Sequence, residues 1–228
     1  DSTISQVFVK DSRVDVAGYE AGGLIGGLYD SSTGSLGVAI INKSYVINTN
    51  VKSTHATGRV GGLIGHIQTS TNAFSKVFVY DSYATGGNVT GVVTVGGFIG
   101  RTTASSPALL NITNSFATGN VNATGTTTAS SGGFSGYGTS ALYVYNSFAT
   151  GNVEGSYPTN PYVGTILAIQ GSGSTNSYYY SGATCLNRES GGCNSVGAGS
   201  YGSLSSFYNS ANAPMSSWDF TNIWYSSG

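Results

Sequence analysis

Apolar and polar positions alternate with period two through short stretches of the chain, and the same alternation keeps returning. Counting back from Ser12, Ser44, Ser82, Ser115 and Ser147, the fifth position is Val7, Ala39, Val77, Leu110 or Leu142. The third position back is Val9, Ile41, Val79, Ile112 or Val144. Between them the residue type varies: Phe8, Ile40, Phe78, Asn111, Tyr143, and then Lys10, Asn42, Tyr80, Thr113, Tyr145. Successive side chains of a strand point to opposite faces, so the pattern predicts short strands with the first two columns facing a core and the second two facing out.

Two anchors frame these strands. One is glycine-rich: Gly22-Gly23-Leu24-Ile25-Gly26, Gly61-Gly62-Leu63-Ile64-Gly65, Gly96-Gly97-Phe98-Ile99-Gly100 and Gly132-Gly133-Phe134-Ser135-Gly136, with a decayed copy at Gly164-Thr165-Ile166-Leu167-Ala168. The other is an acidic or amide residue, serine and an aromatic: Asp81-Ser82-Tyr83, Asn114-Ser115-Phe116, Asn146-Ser147-Phe148 and Asn176-Ser177-Tyr178, with looser copies at Lys43-Ser44-Tyr45 and Asp11-Ser12-Arg13. Ala-Thr-Gly follows at residues 84, 117 and 149, and then Asn-Val at 88, 120 and 152. Two anchors recurring in one order at near-constant period are the signature of a repeat architecture.

A single repeat, with about three strands between Gly and polar turns, cannot bury its apolar face alone; stacked repeats do. The pattern therefore predicts an all-β fold, a parallel β-solenoid (β-helix) of five to six coils rising about 4.8 Å each. Leu24, Leu63, Phe98, Phe134 and Ile166 are expected to form one internal ladder, and Tyr45, Tyr83, Phe116, Phe148 and Tyr178 another. The repeat array is expected over residues 1–183. Residues 184–228 lose the repeat and gain Pro214, Trp218, Phe220 and Trp224, which reads as a C-terminal disulfide loop and aromatic cap. No cap is visible at the other end, and an unpaired β edge recruits further chains unless something blocks it.

Composition narrows the function. Only 7% of the 228 residues are charged, with 8 Lys and Arg against 9 Asp and Glu, so no basic patch can neutralise nucleic-acid phosphates. No apolar run reaches the length of a membrane-spanning helix. The 35 glycines and the many Ser, Thr and Asn disfavour helical bundles. Cys185 and Cys193 enclose a polar loop; in an oxidising compartment they would form a local disulfide, in the cytosol two ordinary thiols. The weak charge, the 16 tyrosines and the paired cysteines together point to an extracellular or cell-surface location. Because the sequence starts at Asp1, a removed signal peptide or a piece of a longer chain is expected.

The Gly-Gly-Leu-Ile-Gly copies, each followed by an Asn-Ser-Tyr/Phe-Ala-Thr-Gly-Asn-Val segment, resemble the GLUG-repeat proteins. Trp218-Asp219-Phe220-Thr221-Asn222-Ile223-Trp224 looks like the segment that often follows such repeats. The resemblance spans Val16 to Trp224 and implies a non-catalytic module of a large secreted or surface-anchored microbial protein, as in adhesins and relatives of immunoglobulin A1 metallopeptidases.

The residues give little sign of catalysis. His55 and His66 are the only histidines, no metal-binding motif occurs, and no cofactor is expected. A pectin-lyase-like enzyme would gather several acids and a base on one face; Asp11, Arg13 and Asp15 alternate onto one face, and a solvated charged patch is the simpler reading. The anchor serines read as a hydroxyl ladder bonded to backbone. Two surface features remain: the outward aromatics Phe8, Phe78, Tyr80, Tyr143 and Tyr145, a candidate partner or ligand face, and N-glycosylation sequons at Asn42, Asn88, Asn111 and Asn122. The sequence thus points to a non-enzymatic extracellular structural protein that assembles with copies of itself into a filament, sheath or surface layer. The alternative is an adhesin stalk or ligand-binding repeat segment that meets a host or neighbour cell-surface protein or glycan.

Overall fold

The structure is a computed structural model that describes residues 1–30, 37–69, 75–103, 108–126, 129–139, 141–157, 162–168, 173–189, 193, 199–211 and 215–224. Pro214 and residues 190–192 of the segment between the two cysteines lie outside the described residues. The chain winds as a parallel β-solenoid through a little over five turns. Each complete coil has five short strands rather than three. In the third coil they are Lys76–Tyr80, Tyr83–Thr85, Asn88–Gly91, Thr94–Gly96 and Ile99–Thr103. Stacking aligns them into five parallel sheets, here called the first to fifth walls in that order, with six, seven, six, five and four strands.

Two-residue corners divide the walls, which is why strands this short escape a reading based on apolar runs. Between the first and second walls, Gln6, Lys43, Asp81, Asn114, Asn146 and Asn176 all adopt positive φ, from 45° to 58°. Asn and Asp tolerate this left-handed conformation best among residues with side chains, which accounts for the acidic or amide residue of the second anchor. Asp11, Asn48 and Gly86 adopt positive φ at the next corner. The register therefore corrects the first repeat. Phe8 pairs with Tyr45 and Ile4 with Ile41, so Gln6-Val7-Phe8 is the first copy of the second anchor. Asp11-Ser12-Arg13 is aligned with Asn48-Thr49-Asn50, at a different corner. The mistake has a physical cause, because both corners select the same residue type.

The glycine anchor is a second corner device. A Cβ on Gly61 would lie 1.9 Å from the carbonyl oxygen of Ile64, and one on Gly62 would lie 2.1 Å from that of Gly97 in the next coil. The chain reverses so tightly between the fourth and fifth walls that backbone packs on backbone. The Cβ site of Gly62 also lies 3.0 Å from the Ala84 Cβ, reaching in from the second wall. Ala117 and Ala149 stand in the same relation to Gly97 and Gly133, so the Ala of Ala-Thr-Gly is the small residue that this narrow place admits.

Two apolar clusters fill the interior. One lies between the first, second and fifth walls and contains the ladder Leu63, Phe98, Phe134 and Ile166, with half-buried Leu24 at its end. Phe98 and Phe134 stack with ring centroids 4.6 Å apart. The other fills the space between the third and fourth walls with Val51, Val60, Val89, Val95, Val121 and Val153.

The second predicted ladder stacks as expected but on the outside of the second wall. Tyr45, Tyr83, Phe116 and Phe148 lie 4.3 to 4.8 Å apart, centroid to centroid. The C-terminal segment covers this ladder along its flank instead of closing the end of the rod. Gly199–Tyr201 adds a seventh strand beside Tyr178–Tyr180. Phe207 then packs on Phe148, Trp218 on Phe148 and Phe116, and Trp224 on Phe116 and Tyr83. Solenoid pairing also runs past residue 183, since Cys185–Asn187 is the last strand of the third wall. Cys185 and Cys193 form a disulfide.

Candidate functional site

The anchor serines have a structural job. Ser44, Ser82, Ser115, Ser147 and Ser177 are fully buried. Each hydroxyl donates to the carbonyl two residues earlier, at 2.7 to 3.3 Å. In the same column Ser44 N–H donates to Ser82 Oγ, Ser82 N–H to Ser115 Oγ and Ser115 N–H to Ser147 Oγ, at 3.2 to 3.4 Å. The ladder thus satisfies backbone groups that the corner would leave unpaired. Ser12 is not part of it: Val7 occupies that place, and its N–H donates to Ser44 Oγ.

Among the described residues, a compact cluster of chemistry-bearing side chains joins the first three coils beside the glycine corner. Glu20 and Arg59 stand on the fourth wall, His66 and Thr103 on the fifth. Arg59 Nη1 donates to Glu20 Oε1 at 3.0 Å, and Arg59 Nη2 to the Tyr19 hydroxyl at 3.1 Å. His66 Nδ1 lies 2.8 Å from both Arg59 Nη1 and Glu20 Oε1, and Nε2 lies 2.9 Å from Thr103 Oγ1. Gly27 holds the place of His66 in the first coil. A Cβ there would lie 2.2 Å from Glu20 Oε2, so the glycine makes room for the carboxylate.

Burial and the Arg59 charge outweigh Glu20 and push the His66 pKa down to about 4, so the ring is neutral at neutral pH. The Tyr29 hydroxyl is pushed up to about 12 by burial and by its hydrogen bond to Glu20. A neutral imidazole beside a carboxylate has the parts of an acid–base pair. Here, however, the ring is 0% exposed and each nitrogen already has a protein partner. The group ties Glu20 of the first coil to Arg59 and His66 of the second and Thr103 of the third, a clasp between coils. Sequence reasoning passed over this cluster because Glu20 lies a whole coil before Arg59 and His66. The arithmetic that exposes it is that Glu20 and Arg59 each stand two residues before their Gly-Gly pair.

The remaining sequence candidates fall on three walls. Phe78 and Tyr80 of the third coil and Tyr143 and Tyr145 of the fifth share the outer face of the first wall, separated by Asn111 and Thr113 of the fourth. All four are half-buried, and the Tyr143 and Tyr145 rings run parallel at 6.3 Å. Phe8 does not join them: it continues the aromatic ladder of the second wall and is 68% exposed. Asp11, Arg13 and Asp15 stay at the surface, with ion pairs Lys10–Asp11 and Arg13–Asp15. Of the sequons, Asn42 and Asn111 stand on the first wall, and Asn42 Nδ2 donates to the Tyr80 hydroxyl at 3.1 Å. Asn88 and Asn122 stand on the third, with Asn88 exposed and Asn122 half-buried. Among the described residues no three His, Cys, Asp or Glu side chains gather as a metal site, and no helix is long and apolar enough to cross a membrane.

No protein-family model, no curated protein and no solved structure matches the chain. The likeness to GLUG repeats rests on the residue pattern alone.

Proposed function

We propose that the chain is a non-enzymatic structural protein of the cell exterior, a subunit that assembles with copies of itself into a filament, sheath or surface layer. The observation that carries this reading is the stacking itself: every coil pairs with the next through parallel strands in one register, and the inward apolar columns repeat from coil to coil. Stacked parallel strands in one register are a template that a further coil can extend. Head-to-tail addition of identical subunits gives an open fibre. The disulfide agrees with an oxidising exterior, and the full burial of His66 and of the anchor serines supports a structural role for them.

Deleting the first strand, Ser2–Ser5, tests the joint. Sedimentation and electron microscopy should then show loss of polymer while the remaining coils keep their β-rich circular dichroism. Polymers that survive unchanged would exclude this edge as the joint. The aromatic pairs of the first wall favour a second reading, an adhesive repeat segment that binds a cell-surface protein or glycan. In that case the chain stays monomeric, and replacing Tyr80, Tyr143 and Tyr145 by Ala abolishes binding to cells.

A further inference from the structure

We infer that the outer face of the third wall is a binding site for a neutral polysaccharide chain lying along the solenoid axis. This goes beyond the assembly reading and uses a different surface from the aromatic face. A groove of about 510 Å³ runs over this wall, lined among others by Asn88, Thr90, Asn120, Asn122, Asn152 and Thr184. A separate depression of about 220 Å³ towards the first coil is lined by Arg13 and Lys52 as well as Asn50, carries charge and is not part of the proposed site.

The amides are fixed before any ligand arrives. Asn50 Oδ1 accepts from Asn88 N–H, Asn120 Oδ1 from Asn152 N–H, and Asn152 Oδ1 from Thr184 N–H, at 2.8 to 3.1 Å. Asn120 Nδ2 donates to Asn88 Oδ1 at 3.4 Å. The carbonyl ends are thereby used along the axis, and among the described residues the Nδ2 groups of Asn50, Asn88 and Asn152 make no hydrogen bond to protein. The result is a column of rigid, uncharged donors at the spacing of the coils, beside the Thr90 hydroxyl and the Asn122 amide. Rigid donors lose little conformational entropy when a ligand engages them.

Charge selects the class of ligand. The one ionised side chain lining the larger groove, Glu154, is neutralised by Arg188 at 2.8 Å. Nothing there favours a phosphate, a sulfate or a cation, whereas a hydroxyl-rich neutral chain offers acceptors at every unit. From Asn88 to Thr184 the wall rises through three coil spacings, about 14 Å, roughly the length of three sugar rings. Each contact is weak, and the repeat makes them additive along one chain.

The test uses the whole chain, produced without N-glycans because a glycan on Asn88 or Asn122 would sit in the same groove. Affinity electrophoresis against neutral glucan, mannan, xylan, galactan and chitin-type polymers, with alginate and heparin as anionic controls, should show retention by at least one neutral polymer. Oligosaccharides of that polymer should gain affinity up to about three or four units and then level off. Thr90→Arg with Asn122→Arg fills the groove without touching the amide ladder and should weaken retention at least about tenfold. Tyr143→Ala with Tyr145→Ala should leave it within about twofold. Circular dichroism establishes that each variant is folded. Retention of no neutral polymer, retention of anionic polymers alone, or unchanged binding by the folded arginine variant overturns the inference. Because the variants leave the first coil intact, loss of glycan binding and loss of assembly are separate results.

Discussion

The first and third coils carry the same pattern of inward residues and meet different fates. In the third coil Val79, Val89, Val95, Phe98 and Ile99 are at most 2% exposed. In the first, Ile4, Val14, Leu24 and Ile25 occupy the matching places in the ladders and remain partly exposed; only the small Ala21, in the place of Val95, is buried, while Val7 at the first corner and Phe8 beside it reach 41% and 68%. The second wall shows the same gradient on its outside, where the C-terminal segment covers the aromatic ladder as far as Tyr83 and leaves Phe8 bare. The difference teaches that an inward pattern is only half of a core in a solenoid. The other half is a neighbour on each side.

Substitutions at one ladder position should break the comparison most strongly. Phe98→Ala removes a fully buried ring stacked on Phe134 and should cost about 3–5 kcal/mol by chemical denaturation. Leu24→Ala, at the same position in the first coil, should cost only about 1–2 kcal/mol in the isolated chain. In assembled material the Leu24 penalty should approach that of an interior coil, or assembly should fail.

The clasp near the first coil makes stability depend on pH. The His66 pKa is 6.5 when free and about 4 in the fold. Between these values the unfolded chain binds a proton that the native ring refuses, so stability should fall as pH drops from 6.5 to 4 and level off below. The full loss is about 3 kcal/mol, and His66→Gln should flatten that part of the melting-temperature profile. A profile with the same slope in the variant would show that His66 carries none of it.

The smallest contrast separates two serines. Ser115→Ala leaves the buried Ser82 N–H without its acceptor and should destabilise by about 1–3 kcal/mol. Ser12→Ala removes an exposed hydroxyl bonded only to Lys10 O and should change stability by less than about 0.5 kcal/mol. Equal effects would put Ser12 back in the ladder and contradict the register.

Much of the fold was legible because stacking writes the same requirement into every coil. Gly61 and Gly62 must be glycine for lack of space. Asn114 must tolerate positive φ, and Ser115 must bond to backbone. A requirement met once leaves no period to detect. Glu20, Arg59 and His66 meet only in space, and Trp218 and Trp224 have no counterpart that would reveal a strap along the flank rather than a plug at the end. The first copy of the second anchor is hidden because Gln6-Val7-Phe8 has the longer glutamine in place of Asp or Asn and no serine, whereas Asp11-Ser12 has the right residues at the wrong corner. The groove of the third wall was visible only as Asn-Val pairs, since the use of each carbonyl along the axis is a matter of geometry.

The most direct test of the assembly claim is electron microscopy of the purified protein at physiological salt. Regular filaments, tubes or sheets are expected, with subunits joined through the first coil and lost when Ser2–Ser5 is deleted. Monodisperse particles of single-chain size at all concentrations would contradict self-assembly and leave the adhesive repeat segment as the reading to pursue.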